Sequence, residues 1–310
     1  MNGKNFYLWI GVSAILYVGL AFIQLFVAHQ SAKESLASDT ESELKRLSTR
    51  FENQLATDRN HSVFLGSVPP IKGILRASDN LGTDPQDGTS LAEWKQRLET
   101  IFFAYLQVND HIRQIRYIGQ QNNGRELVRV ERRNGIINII PDKDMQEKGN
   151  TRYFKESMEL TPHNLYVSSI ELNREFGDLD FPVWPTYRIA MAVHRDDSTV
   201  FGIVIINIDA GSLLDIIRNN HKSADAYLLD NDLNFLIHPD KRQVFAFELG
   251  TPSTWPSYFG SAPELNGRNL HQLDTRSGGT FYYKAQTIPY NGGKNPRALH
   301  LLEGFSDADI

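Results

Sequence analysis

An uninterrupted apolar run near the amino terminus constrains this chain more than any other feature. Phe6 to Val27 carries no charge, and only Ser13 and Gln24 are clearly polar. As a helix rising about 1.5 Å per residue, these 22 residues reach about 33 Å, enough for a hydrocarbon core of roughly 30 Å. A cleaved secretion signal has a shorter apolar core and a small-residue cleavage site. This run is too long and no A-x-A follows it, so residues 1–28 are expected to remain as a transmembrane anchor. Lys4 and the amino terminus precede the span and assign that end to the cytoplasm, with Lys33, beside Glu34, a weak opposing signal. Residues after about 28 are therefore expected on the outer side of the membrane, which in a Gram-negative bacterial cell means the periplasmic side of the inner membrane, with residues 6–27 as the membrane contact.

The remaining chain has ample apolar content for one large domain or two modest ones within its 310 residues. A net charge of -5 and the lack of a basic stripe with interleaved aromatics argue against a nucleic-acid partner. There is no cysteine, which excludes disulfides, zinc–thiolate centres and thiol catalysis. No G-x-S-x-G, H-E-x-x-H, G-x-x-x-x-G-K-[ST] or G-x-G-x-x-G occurs, and no two histidines sit at helical metal-ligand spacing. Neither an enzyme nor a cofactor or metal is expected for this chain. Asp230-Asn231-Asp232-Leu233-Asn234 starts like a calcium loop, but Phe235 and Lys241 stand where that loop needs glycine and glutamate. It reads as a hairpin turn.

From Gln30 to about Arg59 the sequence is polar, helix-prone and free of Gly and Pro. Leu44, Leu47, Phe51 and Leu55 recur at spacings of three, four and four, one face of a helix. That stripe serves either to pack the helix on its own domain or to pair it with a second subunit as a homodimer. Pro69 and Pro70 break the helix, and Leu91 to about Val108 forms another, with Trp94, Leu98, Phe102 and Leu106 on one face and Ser90 or Thr89 as N-cap. Strands are then expected at 112–118, 126–131 and 136–140, the last two joined by a turn at Asn134-Gly135, followed by a helix over 152–160. Further strands are expected at 165–170, 187–193 and 200–208, the last too short to span a membrane, and a helix at 212–218. A smaller unit begins at Ala224, with strands at 226–229, 234–238, 280–286 and 298–303 and an irregular stretch from Gly250 to Gly279. The fold class is α+β: a long N-terminal helix, then two antiparallel-sheet modules in tandem.

Between Arg152 and Asp209 the chain is dense in residues with specific recognition geometry. Arg152, Tyr153 and Phe154 open a helix; Tyr166, Ser168, Glu171 and Asn173 run from a strand into a turn; Trp184, Tyr187 and Arg188 lead into the next strand; Asp209 closes the last. Small-molecule sites combine aromatic walls with a few placed polar groups. Arginine offers a planar fork for a carboxylate, and Asp or Glu accept from an amine. These eleven are the candidate ligand-binding residues, and residue types alone leave open whether they form a pocket or merely a rigid loop and core.

Tyr153-Phe154 and the strings Tyr-Val-Ser-Ser-Ile-Glu-Leu-Asn-Arg-Glu-x-Gly, Pro-x-x-Pro-x-x-Arg and Phe-Gly-Ile-Val-Ile-Ile-Asn-Ile-Asp, with the hairpin Leu229 to Asp240, resemble a double Cache (dCache) sensor domain, which implies that the two sheet modules are PAS-like. The order of parts agrees over nearly the whole chain. The resemblance implies a transmembrane anchor at 1–28, a stalk helix at 29–62, a membrane-distal module at 63–222 and a membrane-proximal module at 223–305. Residues 306–310 would begin a linker to a second span, making the chain a piece of a longer receptor. It also implies small-ligand binding in the distal module and a histidine kinase, diguanylate cyclase or chemotaxis output inside the cell. Amino-acid-binding members carry Arg-x-Trp-Tyr on the pocket helix, a downstream Tyr and Asp, and a later Asp. Here Tyr153 and Phe154 stand at the Trp-Tyr places, Thr151 at the arginine place, Glu171 and Asn173 near the Tyr and Asp places, and Asp209 at the last. With the arginine replaced, the amino-acid class is not carried over. The competing reading is an ectodomain that binds a partner protein or only dimerises.

Overall fold

The computed structural model describes residues 3–310 except 176, 197, 220–223, 266–268, 276–277 and 292–294, with side chains from residue 9 onward. Helix α1 (Gly3–Ser67) is continuous, so the expected anchor and stalk are one rod of 65 residues, about 100 Å long at 1.5 Å per residue. Its first part is long and apolar enough to cross a membrane, and large apolar side chains such as Trp9, Leu16, Phe22 and Phe26 stand exposed there. The polar part lies along both sheets. Leu44, Leu47, Phe51 and Leu55 are all buried against the chain's own modules. Helix α2 (Pro69–Asp79) starts with both prolines in its first turn, where their missing N–H groups have no helical partner to lose. Helix α3 (Leu91–Val108) is capped by Ser90, whose side chain and that of Glu93 exchange hydrogen bonds with each other's backbone N–H.

The distal sheet comprises β1 (Ile112–Gly119), β2 (Glu126–Arg133), β3 (Ile136–Ile139), β4 (Leu165–Val167), β5 (Glu171–Leu172), β8 (Pro185–His194) and β9 (Val200–Asp209). Its order is β3-β2-β1-β9-β8-β4, with β5 also on β8, and every pairing is antiparallel. Between them lie the single turn α4 (Gln121–Gly124), helix α5 (Arg152–Met158) and a small hairpin of β6 (Arg174–Glu175) and β7 (Asp178–Leu179). After helix α6 (Gly211–Arg218) comes the proximal sheet, built from β10 (Asp225–Leu229), β11 (Phe235–Ile237), β12 (His271–Asp274), β13 (Thr280–Asn291) and β14 (Arg297–Ser306), in the order β11-β10-β14-β13-β12. Helix α7 (Trp255–Phe259) belongs to this module, where Trp255, Phe259, Tyr227, Phe235 and Phe281 fill the second core.

Strand alternation decides what the distal sheet offers on each face. Ile115, Tyr117, Val204, Ile206, Tyr187 and Ile189 join the apolar core with α1, α2 and α3. On the opposite face Ile118, Ile203, Ile205 and Ala190 pack with Phe154 and Tyr166. Further along that same face the side chains turn polar: Gln114 and Arg116 on β1, Asn207 on β9 and Arg188 on β8, with Asn207 paired to both Gln114 and Arg188.

Several expectations change. The strand expected at 165–170 stops at Val167 and resumes at Glu171, because the Ser168 hydroxyl accepts the Arg188 N–H (2.8 Å) and donates to the Ser169 carbonyl (2.7 Å). The stretch expected to be irregular, 250–279, contains α7 and β12, and β12 gains its partner only from β13. Residues 306–309, expected in a linker, close the proximal module, with Ser306 ending β14 and capping the following 3-10 turn through Asp309. The hairpin reading of Asp230 agrees with the structure: its carboxylate accepts the Asp232 and Asn234 N–H groups, each at 2.9 Å. The expected module boundary at 222–223, and Phe176 within the Leu-Asn-Arg-Glu string, lie outside the described residues.

Candidate ligand-binding site

The polar patch of the distal sheet is the floor of a cavity of about 720 Å³. Helix α5 and the segment 146–148 form one wall, the segment from Tyr166 to Glu171 and the β6–β7 hairpin another. Its lining includes six cationic side chains (Arg116, Lys148, Arg152, Arg174, Arg188, Arg297) and three carboxylates (Glu147, Glu171, Glu175), a formal surplus of three positive charges.

Two guanidiniums dominate the floor. Arg116, 3% exposed, donates to Asn207 Oδ1 (2.8 Å) and the Tyr153 hydroxyl (3.1 Å) and contacts Glu126 Oε1 at 3.4 Å. Glu126, itself buried, accepts the Gln146 N–H (3.0 Å) and lies 3.6 Å from Arg129, so it anchors the cations from beneath. Arg188, 6% exposed, pairs with Glu171 and reaches Asn173 Oδ1 at 3.4 Å. Both guanidiniums lie over the Tyr153 ring, 5.3 and 5.5 Å from its centroid. The Nε of each is buried without a hydrogen-bond partner among the described residues. Buried donors are normally satisfied, and an unsatisfied one costs about 1–3 kcal/mol.

The local potential is visible in the neighbouring groups. Burial alone pushes the Tyr153 phenol up, but Arg116, Lys148 and Arg188 outweigh it and hold its pKa below the ordinary value. Burial likewise acts to raise the Glu175 carboxyl, and Arg129, Arg116 and Lys148 reverse the sign. The Lys148 ammonium is pushed down, first by burial and then by Arg116. A site that holds these groups in such states favours an incoming anion.

Arg297 comes from the proximal module. It opens β14, is 5% exposed, lies over the Tyr166 ring at 5.0 Å, and donates to the Val167 carbonyl (2.9 Å) and Glu156 Oε2 (2.8 Å). A second cavity, about 770 Å³, opens between the modules, but its walls are largely Val183, Val244, Phe245, Leu249 and similar groups, without converging guanidiniums.

Of the eleven candidates, Arg152, Tyr153, Tyr166, Ser168, Glu171 and Arg188 line the distal cavity. Phe154 is buried beneath it in the apolar cluster of α5. Asn173 contacts the cavity only through Arg188, and Trp184 donates to Asp180 (3.1 Å) beside a neighbouring cleft. Tyr187 lies on the opposite face of β8 and donates to Asp58. Asp209 is paired with Arg113 (2.7 Å) and accepts the Gly211 N–H (2.8 Å) at the start of α6. The sequence reading missed Arg116, Lys148, Asn207 and Arg297. An arginine inside the apolar alternation of β1 was the available signal for Arg116; Arg297, more than a hundred residues from the other walls, had none.

A long helical rod carrying two PAS-like antiparallel sheets, with a charged cavity in the first, has the fold of a Cache sensor domain. The chain belongs to the bacterial histidine kinase sensor domain family, whose model matches residues 78–267. No relative was found among curated proteins. Among solved structures, the chain resembles the extracellular domain attributed to histidine kinase vpHK1S-Z8, with a TM-score of 0.68 and 17% identity, covering 90% of this chain and 94% of that one. A domain attributed to a sensory box/GGDEF family protein of Vibrio parahaemolyticus has a TM-score of 0.62 and 17% identity, covering 90% and 98%. The ligand-binding domain of the Campylobacter jejuni chemoreceptor Tlp3, in complex with L-valine, has a TM-score of 0.63 and 13% identity, covering 91% and 96%. At these identities the likeness establishes the fold alone.

Proposed function

We propose that the chain senses a small anionic organic molecule, carrying at least one carboxylate, in the distal cavity. The observation that carries this reading is the pair Arg116 and Arg188, two buried guanidiniums on one floor, each with an unsatisfied Nε, within a lining of net positive charge. A carboxylate at this floor would gain charge-assisted hydrogen bonds that water does not match in so buried a setting. Tlp3 in its L-valine complex shows that this fold accommodates a small carboxylate-bearing ligand. Arg116, Lys148 and Arg188, which together hold the Tyr153 phenol below its ordinary pKa, favour an organic acid over a zwitterion, because a ligand ammonium would enter beside these cations. Residues 6–27 anchor the chain in the inner membrane and the modules face the periplasm. Ligand engagement of Arg297 draws on the proximal module directly, and α1, which packs on both sheets, carries the change toward the membrane and a cytoplasmic output domain. The ligand does so only to the extent that it binds one arrangement of the two modules more tightly than the other.

The alternative, an ectodomain that serves only to pair with another protein, is less well supported: the stalk stripe at Leu44, Leu47, Phe51 and Leu55 is already covered within the chain. A homodimer through α1 would use its other faces. Calorimetric titration of the full chain in detergent with mono- and dicarboxylates, amino acids and amines separates the readings. Saturable binding of carboxylates and none of simple amines is expected. No binder in the panel, or preference for amines, would sink the proposal.

A further inference from the structure

On the opposite face of the distal sheet, away from the ligand cavity, lies a compact cluster of donors: Asp58 and His61 on α1 and His111 just before β1. One ligand atom from each residue lies within 4.8 Å of the others. Asp58 and His61 are three residues apart on α1 and so share one helix face. His111 is held at the other side of the junction, where its carbonyl accepts the Asp209 N–H at 2.8 Å.

The Asp58 carboxylate is fully buried. Its partners are Gln54 Nε2 (3.3 Å to each oxygen), His111 Nε2 (3.0 Å) and the Tyr187 hydroxyl. Among the described residues no lysine or arginine nitrogen comes within 4.0 Å of it. A buried carboxylate needs a countercharge; the His111 imidazole hydrogen-bonds to it, and the His61 ring stands beside that of His111, the two centroids 5.6 Å apart, edge to face. The Tyr105 hydroxyl lies against His61 Nδ1 and the Tyr187 hydroxyl against Asp58, so two of the three groups are already oriented from behind. Two imidazoles and a carboxylate are the donor set of a borderline transition metal, whereas calcium and magnesium prefer oxygen alone. Donors around a tetrahedral ion with bonds of about 2.0–2.1 Å stand roughly 3.4 Å apart, a small contraction from the present spacing.

We propose that Asp58, His61 and His111 form a binding site for one divalent transition-metal ion, with a fourth position left to water, that clamps the long helix to the ligand-binding sheet. Because the ligands come from α1 and from the lead into β1, occupancy joins the element that runs to the membrane to the sheet whose other face forms the ligand floor.

The test uses the untagged full chain in detergent, stripped of metal and titrated with Zn²⁺ by calorimetry, with metal content per chain counted by mass spectrometry. One ion per chain is expected, with affinity falling at least about a hundredfold in both His61→Gln and His111→Gln, and with Mg²⁺ unable to compete. No stoichiometric uptake by the wild-type chain, or uptake unchanged in both variants, overturns the proposal. Should a variant fail to fold, as far-UV circular dichroism reports, the visible spectrum of Co²⁺ on the wild-type chain decides. The intense bands of tetrahedral cobalt support the site, and the weak spectrum of hexa-aqua cobalt overturns it.

Discussion

Tyr187 and Arg188, neighbours on β8, serve opposite faces of one sheet: the Tyr187 hydroxyl donates to buried Asp58 of the long helix, while Arg188 lies on the cavity floor against Glu171 and the Tyr153 ring. A displacement of this strand by the proposed ligand would therefore be felt at the helix one residue away. The pleat, which sends successive side chains to opposite faces, makes this connection without any intervening loop.

Arg188→Ala removes a charged donor from the floor while leaving the apolar cluster of Phe154 and Tyr166 intact. The affinity of the tightest-binding carboxylate is expected to fall roughly tenfold to a hundredfold, the equivalent of one charge-assisted hydrogen bond of about 1.5–3 kcal/mol. Calorimetry on the variant checks this, alongside an unchanged circular dichroism spectrum.

Tyr187→Phe separates fold from ligand recognition. It removes the hydroxyl that serves Asp58, leaving a buried carboxylate one donor short, and should destabilise the chain by about 1–3 kcal/mol in urea denaturation. Ligand affinity should stay within about threefold of wild type, since a loss of less than 0.7 kcal/mol is expected on the far face.

Arg297→Ala tests whether the proximal module takes part in the distal site. The arginine lies 130 residues from Val167, whose carbonyl it holds at 2.9 Å. Weaker carboxylate binding by roughly tenfold is expected, with a lower unfolding temperature from the lost Glu156 pair.

Glu303 on β14 is 1% exposed, and its Oε1 has no hydrogen-bond partner among the described residues. Burial, aided by Glu43 and partly offset by Arg46, pushes its carboxyl from 4.5 up to about 8. The folded state therefore holds this proton more tightly than the unfolded chain does. That contribution is fully present below the unfolded value and is lost as pH rises through the folded one. Wild type should lose stability between about pH 5 and about pH 9 relative to Glu303→Gln, whose side chain cannot ionise. Urea denaturation of the two chains across that range reads the difference.

Much of the scaffold was legible because it rests on periodicity. The stripe Leu44–Leu55, a cap at Ser90 or Thr89, and the apolar runs of β8 and β9 all declare themselves locally. The irregularity of β4 and β5 was not legible, since it depends on Ser168 meeting Arg188 across the sheet. Nor was β12, whose polar-flanked sequence becomes a strand only beside β13. At the site, Tyr153, Tyr166 and Arg188 stood out by residue type. Tyr187 and Asp209 stood out equally, yet the pleat and the start of α6 turn them elsewhere. Arg116 left a local trace as a charge inside the alternation of β1, whereas Lys148 and Arg297 enter through chain crossings that no local pattern encodes.

The most direct test of the central claim is a crystal structure of the two modules grown with the tightest-binding carboxylate. The account predicts density for the carboxylate against Arg116 and Arg188, with Tyr153 alongside and Arg297 within reach. Density in the cavity between the modules instead, or a distal floor on which Arg116 and Arg188 remain without any bound acid at saturating concentration, would contradict it.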